Sequence, residues 1–87
     1  MARSDFVFGE KVHFSFSNHV AHFAVKKMKR DRGATRDFGK IVWQVTQADV
    51  PGSALKVGDV LPTRRVFYIA KDIDPRAAHA FDMENQQ

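Results

Sequence analysis

Residues 38–46, FGKIVWQVT, constrain the fold more than any other stretch of the chain. β-Branched and aromatic residues alternate there with others, so Ile41, Trp43 and Val45 share one face while Lys40, Val42, Gln44 and Thr46 share the other. A pattern of period two predicts a strand, because successive side chains of a strand point to opposite sides. A lone strand leaves its backbone groups unpaired, so the rest of the chain has to supply neighbours.

Candidates for those neighbours lie on either side. In FVFGEKVHFSF, residues 6–16, alternation begins after Gly9: Val12, Phe14 and Phe16 fall on one face and His13, Ser15 and Ser17 on the other, as in a half-buried strand. Phe6 to Phe8 read as a short strand before it, with Gly9-Glu10 as a turn or bulge. RRVFYIAK, residues 64–71, also reads as a strand, Val66, Tyr68 and Ala70 opposing Arg65, Phe67 and Ile69. Between these pieces RGATRD, residues 32–37, is a loop, Pro51-Gly52 is a strong turn signal, and residues 72–75 form a further turn.

Two segments each admit two readings. Residues 18–30, NHVAHFAVKKMKR, make a helix if Ser17 or Asn18 caps it and Val20, Phe23, Ala24 and Met28 form an apolar stripe, with Gly33 just past its basic end. They make a strand if Ala21, Phe23 and Val25 share a face and SNH turns the chain back onto residues 12–17. At the C-terminal end, Asp74 as N-cap and Pro75 at the first helical position are good helix-start chemistry. The same stretch also allows a short strand over residues 78–81.

Eighty-seven residues suffice for one core and not for two, so residues 1–87 are expected to form one domain with loose termini at 1–5 and 83–87. Eight Phe, one Trp and one Tyr build that core from few, large side chains. The chain has no Cys, so disulfides and thiolate metal sites are excluded and packing has to hold the fold. No apolar run approaches the ~20 residues of a membrane span, and no secretory leader is visible, which points to a cytoplasmic protein. The expected architecture is mainly β: a small antiparallel barrel, with one helix at about 18–31 and a short C-terminal helix if those readings hold, and α+β as the alternative.

The stretch SALKVGDVLPTRRVFYIAKDIDPRAAHAF, residues 53–81, resembles the second half of an oligonucleotide/oligosaccharide-binding barrel (OB fold) of the cold-shock or S1 kind. Leu55, Lys56, Gly58 and Asp59 are similar to that family's turn into a long strand, which Val66 to Ile69 would form; residues 74–78, DPRAA, resemble the turn before its last strand. The resemblance covers a third of the chain. It implies a five-stranded barrel that takes single-stranded RNA or DNA on a strand face. The family's first-half motifs are only echoed, in reversed order, by residues 12–15 and 38–41, so the resemblance carries an architecture and no binding residues.

Charge is uneven. Residues 1–45 hold nine Lys and Arg against four Asp and Glu, whereas residues 46–87 hold five against six. Six of the cations crowd into residues 26–36: Lys26, Lys27, Lys29, Arg30, Arg32 and Arg36. Such a run is commonly a solvated helix end or hairpin tip; it also suits phosphates, which Lys and Arg neutralise with release of condensed counterions. Lys40, Arg64, Arg65 and Lys71 fall on or beside the expected strands, near Trp43, Phe67 and Tyr68. Cations interleaved with aromatic faces form the usual platform for single strands. Trp43 is expected in the core, and Tyr68 and Phe38 at the surface.

Chemistry beyond binding has little support. His19 and His22 would share a face of a helix at zinc-ligand spacing, yet no Cys or matching carboxylate completes a set, so no metal or cofactor is expected. Asp72 and Asp74 read as turn-shaping carboxylates, and no nucleophile elbow or phosphate loop is present, so no catalytic residues are expected. The leading expectation is therefore a non-enzymatic binder of RNA or single-stranded DNA. The rival is a small regulatory or inhibitory protein acting on a protein partner, of the compact kind that mobile elements encode, with an edge strand free to pair two copies into a homodimer.

Overall fold

The computed structural model describes residues 6–30 and 41–85. In chain order they form strands β1 (Phe6–Ser17), β2 (His22–Arg30), β3 (Ile41–Asp49) and β4 (Val60–Pro62), then helices α1 (Thr63–Ile73) and α2 (Pro75–Asn85). The strands make one antiparallel sheet in the order β1-β2-β3-β4. The fold is α+β, a sheet with helices packed on one face. Among the described residues the sheet is open, with β1 and β4 at opposite edges, rather than closed into the expected barrel.

β1 follows the expected alternation. Phe16 is fully buried and Phe14 packs beside it, while His13, Ser15 and Ser17 are exposed. The register of β1 against β2 slips between Gly9 and His13, so the glycine turn or bulge of the sequence reading is an irregularity inside one long strand.

Of the two readings of residues 18–30, helix and strand, the structure has the strand, over His22–Arg30; residue 31 of the helix expected at about 18–31 lies outside the described residues. Asn18 Oδ1 accepts hydrogen bonds from the backbone N–H of Val20 (2.7 Å) and Ala21 (2.8 Å), and Asn18 N–H donates to Ala21 O at 3.0 Å. This Asx-type turn reverses the chain. Val20, needed for the helical stripe, is 62% exposed. β2 then pairs on both sides, with β1 and with β3, so long-range ladders outweigh the helix propensity of Ala and Lys. Its burial explains the ambiguity. Phe23 and Val25 face the main core, but Ala24 and Met28 are buried outside it, on the sheet's other face. A strand buried on both faces loses its clean alternation.

Residues 64–71 run the other way, from expected strand to helix. Val66, Ala70 and Ile73 are buried at spacings of four and three, which is one stripe of a helix, while Tyr68 is 56% exposed. A strand ending at Lys71 leaves out Ile73, the residue that completes the stripe. Pro62, in extended conformation, stands at the N-cap position.

Of the two readings of the C-terminal stretch, helix and short strand, the structure has the helix. Asp74 ends α1, its N–H donating to Ala70 O at 2.8 Å, and begins α2, its Oδ1 accepting from Ala77 N–H at 3.3 Å and its carbonyl from Ala78 N–H at 2.9 Å. Of the loose ends expected at 1–5 and 83–87, residues 1–5 and 86–87 lie outside the described residues, and α2 runs to Asn85.

Aromatic rings hold the layers together. Phe81 of α2 stands edge-on to Phe14, Phe16 and Trp43, with ring centroids 4.7, 5.7 and 5.0 Å away. Edge-to-face contacts at these separations add about 0.5–1.5 kcal/mol each beyond area burial. Two polar ties then fix α1 along the sheet. Trp43 Nε1 donates to Thr63 Oγ1 at 2.8 Å at its start, and Asn18 Nδ2 donates to Ile73 O at 2.8 Å at its end.

The turns between β3 and β4 match the sequence signals. Ser53 N–H donates to Val50 O across Pro51-Gly52, Gly52 having φ +77. In the KVGD turn, Gly58 has φ +100, Asp59 Oδ2 accepts from Lys56 N–H at 3.0 Å, and Asp59 N–H donates to Lys56 O at 3.1 Å. This turn leads into three residues of strand and a helix rather than into the long strand expected over Val66 to Ile69.

Candidate nucleic-acid interface

The ten residues singled out for binding have three fates. Lys26 and Lys27 are half-buried in the middle of β2. Lys29 and Arg30 continue the same strand, their backbones pairing with Val7 and Phe6 of β1, and Lys29 also with Ile41 of β3. Arg32, Arg36 and Lys40, with Phe38, lie outside the described residues. Arg64, Arg65 and Tyr68 are exposed, but on α1 rather than on a strand.

Strand geometry divides the basic run. Lys26 lies across from His13 and Gln44, on the face away from the helices. Lys27 lies across from Trp43, on the helix-bearing face. The two neighbours in sequence therefore serve opposite sides of the sheet.

The cross-strand row through Lys27 decides which cations meet. Lys27 pairs with Trp43, and Trp43 pairs with Leu61 of β4. The hydrogen bond from the Trp43 indole to Thr63 seats the first turn of α1 over that row. Arg64 shares a shallow pocket with Ile41, Pro62 and Thr63, and Ile41 is the register partner of Lys29. The basic end of β2 and the first turn of α1 thus occupy one end of the molecule.

Nothing described at that end neutralises the charge of α1. The first turn contains no acidic residue, and Pro62 supplies no side-chain cap. The free N–H groups and dipole of the helix therefore add positive potential to that of Arg64 and Arg65. Along the outer face of α1, Tyr68 stands three residues from Arg65, four from Arg64 and three from Lys71, all exposed. Residues at these spacings are surface neighbours on a helix, so an exposed ring lies among three cations, with the acid Asp72 four residues on. Lys71, read in the sequence as beside Tyr68 but not counted among the binding residues, joins them by helical spacing.

Trp43 is fully buried, as expected, and offers no stacking surface. His19 lies in the β1–β2 turn, and His22 opens β2 with its Nε2 3.1 Å from Ser15 Oγ. The helical face on which the two histidines would have met does not form.

No family model matches the chain, and neither a similar curated protein nor a similar solved structure was found. Among the described residues, no helix is long and apolar enough to cross a membrane. Functional inference rests on the site itself.

Proposed function

We propose that this chain is a non-enzymatic binder of single-stranded RNA or DNA, using the basic end defined by Lys27, Arg64 and Arg65. The observation that carries the reading is the Lys27–Trp43–Leu61 row with its Trp43–Thr63 hydrogen bond, which joins two basic segments distant in sequence. Lys29, Arg30, Arg32, Arg36 and Lys40 extend the same charge in sequence and serve as further phosphate contacts. Tyr68, flanked by Arg64, Arg65 and Lys71, supplies the ring on which an unpaired base stacks, an interaction worth about 1–3 kcal/mol. The single-strand preference comes from that ring, since duplex bases are already stacked. Lys26, on the sheet's other face, is left out of this surface.

The test is a titration of a labelled oligonucleotide at several salt concentrations, with the wild type and with Lys27→Gln/Arg64→Gln/Arg65→Gln. If the three cations contact three phosphates of a single strand, the slope of log K against log salt becomes shallower by about 2 in the variant. Affinity falls for every base composition alike. An unchanged slope and affinity would remove these residues from the site.

A further inference from the structure

A cleft of about 480 Å³ lies between α1 and the 50–61 segment. Leu55, Leu61, Ile69 and Ile73 form apolar wall, and Arg65 and Asp72 both line it. Arg65, Ile69 and Asp72 belong to one stripe of α1, seven residues being about two turns. The cleft is thus an apolar slot with a cation towards one end and a carboxylate about 10.5 Å further along the helix axis. Among the described residues neither of these side chains has an ion-pair or hydrogen-bond partner. Asp59 also borders the cleft, but its carboxylate accepts the Lys56 N–H of its own turn.

We infer that this cleft takes an extended peptide segment of a partner protein, in which one apolar side chain is flanked by an acidic and a basic one. Charge complementarity selects this occupant. An extended strand presents residues i, i+2 and i+4 on one side, with the outer two about 13 Å apart. That span matches the Arg65–Asp72 separation within the reach of flexible Glu and Lys side chains. The acid meets Arg65, the base meets Asp72, and the apolar side chain enters between Leu61 and Ile69. A purely apolar ligand leaves both charges unanswered, and a ligand with two like charges meets repulsion at one end.

The probe is acetyl-Glu-Ser-Leu-Ser-Lys-amide carrying a fluorophore, followed by anisotropy. Its controls place two acids, two bases or two alanines at the outer positions. The zwitterionic peptide saturates below about 1 mM and binds about tenfold more tightly than the doubly acidic and doubly basic ones. Asp72→Lys transfers the preference to the doubly acidic peptide. Circular dichroism confirms that the variant is folded. Equal binding of all four peptides, no saturable binding of any, or a preference unmoved by Asp72→Lys would each overturn the inference. The peptide preference is read from Asp72→Lys and the oligonucleotide salt slope from the Lys27, Arg64 and Arg65 variant, so the two proposals fail separately.

Discussion

The two ends of α1 are anchored alike and charged differently. At its C-terminal end the helix is anchored, Asn18 donating to Ile73 O, and its charges are mixed: Lys71 suits the dipole, while the acids Asp72 and Asp74 stand nearby. At its N-terminal end the helix is anchored again, through Trp43 and Thr63, but Arg64 and Arg65 sit where the dipole favours acids. Both ends hold position with one side-chain hydrogen bond, so both are structurally supported. Two cations at the start of α1 against mixed charge at its end make the start the more basic of the two. Asp49, paired in register with His22 at the hairpin end of the sheet, adds to that contrast. A small domain keeping a cation pair at an unfavourable helix start points to a use for that end.

The largest effect is expected at the hairpin end. Asn18→Ala removes two accepted hydrogen bonds in the turn and the bond to Ile73 O, and is expected to destabilise the fold by about 2–3 kcal/mol, at about 1 kcal/mol each. Urea denaturation measures it, and oligonucleotide affinity of the folded fraction stays at the wild-type level. Asn18→Asp separates the roles. It keeps the acceptor for the turn, loses the donation to Ile73 O and adds a negative charge near the negative end of α1, for a smaller loss of about 1–2 kcal/mol.

The smallest effect lies at the other end and has the opposite sign. Arg64→Glu places an acid in the first turn of α1 and is expected to raise stability by about 0.3–1 kcal/mol at low ionic strength. The same change weakens oligonucleotide binding. Stability and binding that fell together would mean that Arg64 serves the fold and not the ligand.

Legibility in the sequence depended on how local the deciding interaction was. The turn at Pro51-Gly52 and the inward face of β1 were readable, because neighbours a few residues apart determine them; Asp74-Pro75 allowed the helix start but left a strand open. β2 resisted because Ala24 and Met28 are buried on the face opposite Phe23 and Val25, a consequence of being a central strand that no local window reveals. α1 was misread because β-branched and aromatic residues over 66–69 imitate a strand, and Ile73 lay beyond the window. The site shows the same division. The basic run was evident from composition alone. That Lys27 shares the helix-bearing face with the start of α1 while Lys26 lies on the other depends on strand register and on a hydrogen bond between residues twenty apart.

Amide chemical-shift mapping with a short single-stranded oligonucleotide tests the central claim most directly. Resonances of Lys27, the Trp43 indole N–H and residues 63–68 should move in proportion to saturation, while those of Asn18, Ala21 and Ile73 stay in place. Shifts concentrated at the Asn18–Ile73 end, or spread evenly over both ends, would contradict a binding surface at the start of α1.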